Sequence, residues 1–256
     1  MTAAPIVRFF RKHPQLLQIM NRFIALLLPL CIAATAGPTL SHALDKDPAT
    51  AATFWTASVK AEAGSDYDDA LKQLGSFQKE GGDPFLTLMR SGWLYYRKAG
   101  YAQAEQSYAA AGKLQPNALN PSLGLLTVAQ AMQDAKRIER AAEGVLRLDQ
   151  TNYRAQMTLA GMHLAAYDYR KALSVYRRIL TTYPDDLDAR SGLAWSSYYL
   201  GEKRDALDGF RLILSVSPDY PYAQRGYDLV AGKPAKGGAQ DGRLQPSTGL
   251  QPSGGL

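Results

Sequence analysis

The sequence returns on itself at a fixed interval, and that interval limits the fold more than any other feature. Asp66-Tyr67-Asp68-Asp69-Ala70-Leu71 comes back as Asp168-Tyr169-Arg170-Lys171-Ala172-Leu173; from 66 to 168 the offset is 102, or three times 34. Steps of 34 from Ala70 land on Ala104, Ile138, Ala172 and Ala206. Four residues later the same steps give Leu74, Tyr108, Ala142, Tyr176 and Phe210, and eight beyond those Gly82, Pro116, Gln150, Pro184 and Pro218. Four residues is one helical turn along a single face. A small residue there lets two helices approach closely, a bulky one fills the gap against the next unit, and proline stops the helix. A chain so patterned is a row of helical hairpins.

The first half of each unit is looser. Its small residue is Ser58, Gly92, Ala160 or Ala194, with Leu126 out of line, and Leu125, Leu159 and Leu193 precede it. Alanine, then a bulky residue at +4, then proline at +12 resembles the second half of the tetratricopeptide repeat. Phe54 and Leu88 are the nearest matches to that family's opening aromatic. The resemblance spans residues 51–220 without an insertion. It implies an all-α, right-handed α-solenoid of about five hairpins, of the kind found in exported bacterial tetratricopeptide-repeat proteins. The hairpins are expected at 51–84, 85–118, 119–152, 153–186 and 187–220. Their turns fall near Gly64-Ser65, Ala99-Gly100, Asp134, Tyr167-Asp168 and Gly201. Residues 221–231 read as a C-terminal capping helix. In the third hairpin Ile138 stands for the small alanine and Ala142 for the bulky residue. That exchange either conserves core volume or locally alters the superhelix.

Composition enters through the termini. Phe23 to Ala36 is an unbroken apolar run behind Arg8, Arg11, Lys12 and Arg22, and Ser41 and Ala43 place small residues at −3 and −1 of a cleavage site. As a helix, 14 residues rise roughly 21 Å, short of a roughly 30 Å hydrocarbon core. Residues 1–43 are therefore expected to be a signal peptide, with an uncleaved membrane anchor as the alternative. Met20-Asn21-Arg22 opens a leader of ordinary proportions, so Met20 competes with Met1 as the start. Leu30 before Cys31 does not make a lipobox. Residues 44–50 read as a linker. Residues 232–256, rich in Gly, Pro, Ser and Gln, read as a disordered tail.

The leader also explains the charge. The chain has 29 basic and 23 acidic residues, for a net +6. Taking away the four basic residues of 1–43, which hold no acid, leaves 25 against 23, about +2. The basic balance belongs to the leader, so no nucleic-acid partner is expected. The single cysteine, Cys31, and the histidines His13 and His42 leave with it. Only His163 remains, at the position equivalent to Tyr95 in the second hairpin, a packing slot. Asp66-x-Asp68-Asp69 lacks the later glycine and glutamate of a calcium loop and reads as a turn and helix cap. Lys136-Arg137 and Arg177-Arg178 are isolated pairs on solvated helix faces. No enzyme activity, metal or cofactor is expected.

What is left is a surface. In tetratricopeptide-repeat proteins the first helices line a concave groove that holds extended peptides or partner helices. On this register the resemblance implies groove positions at Trp55, Met89, Trp93, Tyr96, Arg97, Asn120, Leu123, Gln130, Arg154, Met157, Trp195, Tyr198 and Tyr199. All three tryptophans are among them. Such aromatics serve as binding anchors or pack between first helices, and both readings stand at this point. The set does not match the basic clamp that grips a C-terminal carboxylate. The expected function is a periplasmic or secreted scaffold that binds protein partners and helps assemble an envelope complex. The alternative is a scaffold of a polysaccharide synthesis or export machine that contacts glycan chains. A membrane would be met only through an uncleaved leader.

Overall fold

The computed structural model describes residues 48–233. Among the described residues there are eleven helices and no strand. They are α1 Pro48–Ala63, α2 Tyr67–Lys79, α3 Pro84–Arg97, α4 Tyr101–Leu114, α5 Leu119–Ala131, α6 Ala135–Leu148, α7 Tyr153–Ala165, α8 Tyr169–Thr182, α9 Leu187–Tyr199, α10 Lys203–Val216 and α11 Ala223–Val230. Odd and even helices pair as hairpins, and each even helix packs on the odd helix that follows it. Odd helices also touch one another, α3 with α5, α7 with α9 and α9 with α11. The result is the expected helical solenoid, with α11 closing the last hairpin. No helix among the described residues is long and apolar enough to cross a membrane. The leader, its cleavage region and residues 234–256 of the tail lie outside the described residues. The expected linker differs in one respect: α1 begins at Pro48, inside 44–50. Proline is well suited to a first helical turn, where its missing N–H has no partner to lose.

The hairpin turns carry the 34-residue period in their backbone. Ser65, Ala99, Gln133, Tyr167 and Gly201 all take positive φ, from 55° to 79°. The next residue in each case, Asp66, Gly100, Asp134, Asp168 or Glu202, caps the second helix. The N–H groups of Asp66, Gly100, Asp168 and Glu202 reach back to the carbonyls of Ala61, Tyr95, His163 and Ser197 at 2.8–2.9 Å. This closes the first helix with a left-handed residue and satisfies its last carbonyls. Four of the five left-handed residues carry a side chain, at a cost of about 1–2 kcal/mol each. The acidic trio is absorbed by the same turn. The Asp66 carboxylate accepts from Asp69 N–H, Asp68 pairs with Lys98, and Asp69 accepts from Gln73.

The core follows the two periodic positions. Ala70, Ala104, Ala172 and Ala206 are fully buried, as are Leu74 and Phe210, with Tyr108 and Tyr176 nearly so. Burial pushes the phenols of Tyr108 and Tyr176 up to about 12. Each aromatic presses on a glycine of the next first helix. A Cβ on Gly124 would stand 2.6 Å from the Tyr108 ring, one on Gly192 2.1 Å from Tyr176, and one on Gly226 2.3 Å from Phe210. In the third hairpin Ala142 replaces the aromatic, and the corresponding residue of α7 is Thr158 rather than glycine. Ile138 packs beside Ala142, Val145, Leu126 and Leu159. The larger Ile138 thus packs beside the smaller Ala142.

Candidate functional site

The shared face of the odd helices brings most of the expected groove residues together, in two groups of different character. On α1 and α3 they form a bracket. The Trp55 ring stands 5.2 Å from Phe77, and the Arg90 guanidinium lies 5.2 Å above it. Arg90 pairs with Glu62 at 2.9 Å and donates to Ser58 Oγ at 3.0 Å. Glu62 also accepts the indole N–H of Trp93. Trp93 keeps 38% of its surface exposed. Its ring lies 5.8 Å from Tyr96, which in turn is 6.1 Å from Tyr101. Arg97 sits over both Trp93 and Tyr67 and donates to the Tyr67 hydroxyl at 3.0 Å. Met89 packs beneath this group, next to Tyr108 and Ala104.

On α5 and α7 the residues are polar. Arg154 donates from one terminal nitrogen to Thr127 Oγ1 at 3.0 Å and from the other to Gln130 Oε1 at 2.6 Å. Gln130 donates onward to Thr158 Oγ1 at 3.2 Å. Burial pulls the Arg154 guanidinium below its ordinary value. Leu123 and Met157 are half-buried at the edges of the core, and Asn120 is exposed.

On α9 the expectation for Trp195 does not hold. Only 7% of its surface is exposed, and the ring meets Phe210 at 5.0 Å and 72°. It packs in the core of the last hairpin with Ala194, Ala206 and Ile213. With its ring committed to that packing it offers a ligand an edge at most. Tyr198 is half-buried against the same cluster. Tyr199 is 41% exposed and stacks on Tyr169 with centroids 4.6 Å apart at 15°. His163, on the last turn of α7, is half-buried, and its carbonyl closes the turn to α8.

Several participants were not among the expected residues. Tyr67 and Tyr169 are the first residues of even helices, yet each reaches the last turn of the following odd helix, at Arg97 and Tyr199. Both stand in the repeated Asp-Tyr dipeptide, so the signal was present in the sequence. Glu62, Arg90, Thr127 and Thr158 have no such mark; only the side-by-side placement of odd helices joins them to the site.

Comparison with known proteins agrees with this geometry. Residues 153–196 match the family model described as a tetratricopeptide repeat. A tetratricopeptide repeat protein from Parabacteroides merdae superposes with a TM-score of 0.60 at 16% identity, over 72% of this chain and 75% of that one. MamA from Desulfovibrio magneticus gives 0.54 at 17% identity, over 67% and 97%. YrrB, described as a TPR protein with an unusual peptide-binding site, gives 0.55 at 15% identity, over 73% and 96%. No curated protein sequence matches. At these identities the likeness is one of fold.

Proposed function

We propose, from the premise that this chain is built on the tetratricopeptide-repeat fold, that it is a non-catalytic scaffold binding protein partners along its odd helices. The observation that carries this reading is the exposed face of Trp93, held by Glu62, Tyr96 and Arg97 and continuous with the polar set around Arg154. A rigid aromatic with a fixed hydrogen bond loses little entropy when it contacts a ligand. The polar neighbours supply direction. The scaffold works in the periplasm or as a secreted protein, where it helps assemble an envelope complex. Support for that location comes from the basic and apolar leader and from Ser41 and Ala43, all in the sequence.

Affinity capture from an envelope extract tests the function. Partners should be retained by the full chain and lost with Trp93→Ala, whose fold should persist. Retention undiminished by that change would take the aromatic face out of the binding surface. The amino-terminal residue of the exported protein tests the location. A chain beginning near Leu44 fits cleavage; one beginning earlier and staying with membranes fits the inner-membrane tether instead.

One observation favours the glycan alternative. Tyr169 and Tyr199 lie parallel, and Tyr167, 62% exposed, leans on Tyr169 at 6.2 Å. An exposed ring such as Tyr167, set beside a fixed pair of tyrosines, can stack on a sugar ring. Capture of glycan alone, with no protein surviving the wash, would favour it over the protein-binding reading.

A further inference from the structure

We propose that Arg154 is the receptor for the side-chain carboxylate of an Asp or Glu in an extended segment of the partner protein. The inference rests on the protein-binding reading above and names the chemistry of the partner at one point along the face.

The arginines of this face are used in different ways. Arg90 is neutralised by Glu62. Arg97 lies exposed between two aromatic rings, where a cation is held without a carboxylate. Arg154 has neither arrangement. Its two recorded bonds go to a hydroxyl and an amide, both neutral. Among the described residues no carboxylate stands within ion-pair distance of it. Half-burial strips part of its water, which is why its proton affinity falls. A guanidinium has five N–H donors, and these two bonds use two of them. Thr127 and Gln130 fix the plane of the group from α5, and Gln130 is itself fixed by Thr158. A planar, oriented and incompletely paired guanidinium is complementary to one carboxylate, which it engages through two parallel bonds.

The surroundings decide which carboxylate. A polyanion such as nucleic acid would meet Glu62 and Asp188 on the same series of odd helices, and both are acids already engaged, with Arg90 and with the Tyr220 hydroxyl. A protein segment suits the mixture better. Trp93 and Tyr96 occupy on α3 the repeat positions that Thr127 and Gln130 occupy on α5. The Arg154 guanidinium is drawn onto α5 by Thr127 and Gln130 and feels the Tyr96 phenol of α3, so one helix spacing of about 8–10 Å separates it from the Trp93 group, the length of about three extended residues. A segment crossing this face therefore places an acid at Arg154 and an apolar or aromatic residue near Trp93, about three positions away.

Random linear peptides of about twelve residues, long enough for that span, are panned on display against the full chain. Selected peptides are then measured in solution. The expected result is a shared Asp or Glu whose change to Asn or Gln weakens binding by about tenfold or more. That penalty should shrink below about twofold on Arg154→Gln, and Arg154→Glu should recover binding of a peptide with Lys in place of the acid. Equal binding of acid-free peptides overturns the inference and leaves the protein-binding reading intact. So does an acid-to-amide penalty that is the same on Arg154→Gln as on the natural chain. Failure to enrich any peptide overturns both. If Arg154→Gln does not fold, Thr127→Val serves: it releases the guanidinium while keeping its charge, and should cut the preference for acid without abolishing it. The peptide-side exchange needs no variant at all.

Discussion

Trp93 on α3 and Trp195 on α9 occupy the same position of the repeat, 102 residues or three periods apart, yet they have opposite roles. Trp93 is 38% exposed and spends its N–H on Glu62; Trp195 is 7% exposed and packs edge-to-face with Phe210. The residues around them differ in kind. Trp93 meets charged and polar groups from α1, whereas Trp195 meets the rings of Tyr198 and Tyr199 on its own helix and of Phe210 on α10. A repeat position therefore fixes a direction in space but not an environment. The environment comes from the side chains packed around it, from the preceding hairpin for Trp93 and from its own hairpin for Trp195, and it decides whether an aromatic serves a partner or the core.

The largest way to break this comparison is to remove the buried ring. Trp195→Ala is expected to destabilise the array by about 3–5 kcal/mol, seen as an early thermal transition. Loss of less than about 1 kcal/mol would mean that Trp195 is no more a core residue than Trp93. Next comes the seat of Tyr176 on α9. Gly192→Ala puts a methyl 2.1 Å from that ring and should cost about 1–3 kcal/mol by overpacking. Gly92→Ala on α3 approaches Tyr108 at 2.8 Å and should cost less, so denaturant midpoints ordered the other way would contradict the tighter fit of α9. The turns that end the two helices offer a smaller, signed pair. Ala99→Gly relieves a left-handed alanine after α3 and should stabilise by about 0.5–1 kcal/mol, while Gly201→Ala after α9 should destabilise by a like amount. Matching signs in chemical denaturation would refute the turn argument. Last, Trp93→Ala should change stability by about 1 kcal/mol or less. Its effect belongs in partner binding, and a melt as severe as that of Trp195→Ala would return Trp93 to the core.

The acid response separates the turns themselves. The N–H of Arg137 at the Asp134 cap, and the Arg137 guanidinium after it, hold the Asp134 carboxyl below its usual range. A depressed folded value means stability that is present above the unfolded value, about 4, and is lost as pH falls through the folded one. Glu202 makes no side-chain cap bond at the start of α10. Below about pH 4, amide exchange should accelerate in α6 before α10; equal acceleration would show that the Asp134 cap contributes nothing.

Sequence and structure divide along the same line. The repeated alanines, the +4 aromatics and the Asp-led turns were legible because each depends on residues a few positions away or at one fixed period. Tyr67 and Tyr169 were visible as a repeated dipeptide, but their reach to Arg97 and Tyr199 was not, since it crosses from one hairpin to the next. Thr127 and Thr158 carried no signal, because a threonine in a helix becomes part of a site only through the helix beside it.

The sequence by itself determined a helical solenoid of period 34, its turns and its small and large core positions. Only the tertiary structure decided that Trp195 is buried while Trp93 is open, that Thr158 accepts from Gln130 across two helices, and that Arg154 is held by neutral partners. The reason is physical. Local spacing sets which face of a helix a residue lies on, but burial and charge pairing depend on side chains some 24 to 32 residues away, as between Arg154 and Gln130 or Arg90 and Ser58, and these meet only when the hairpins stack.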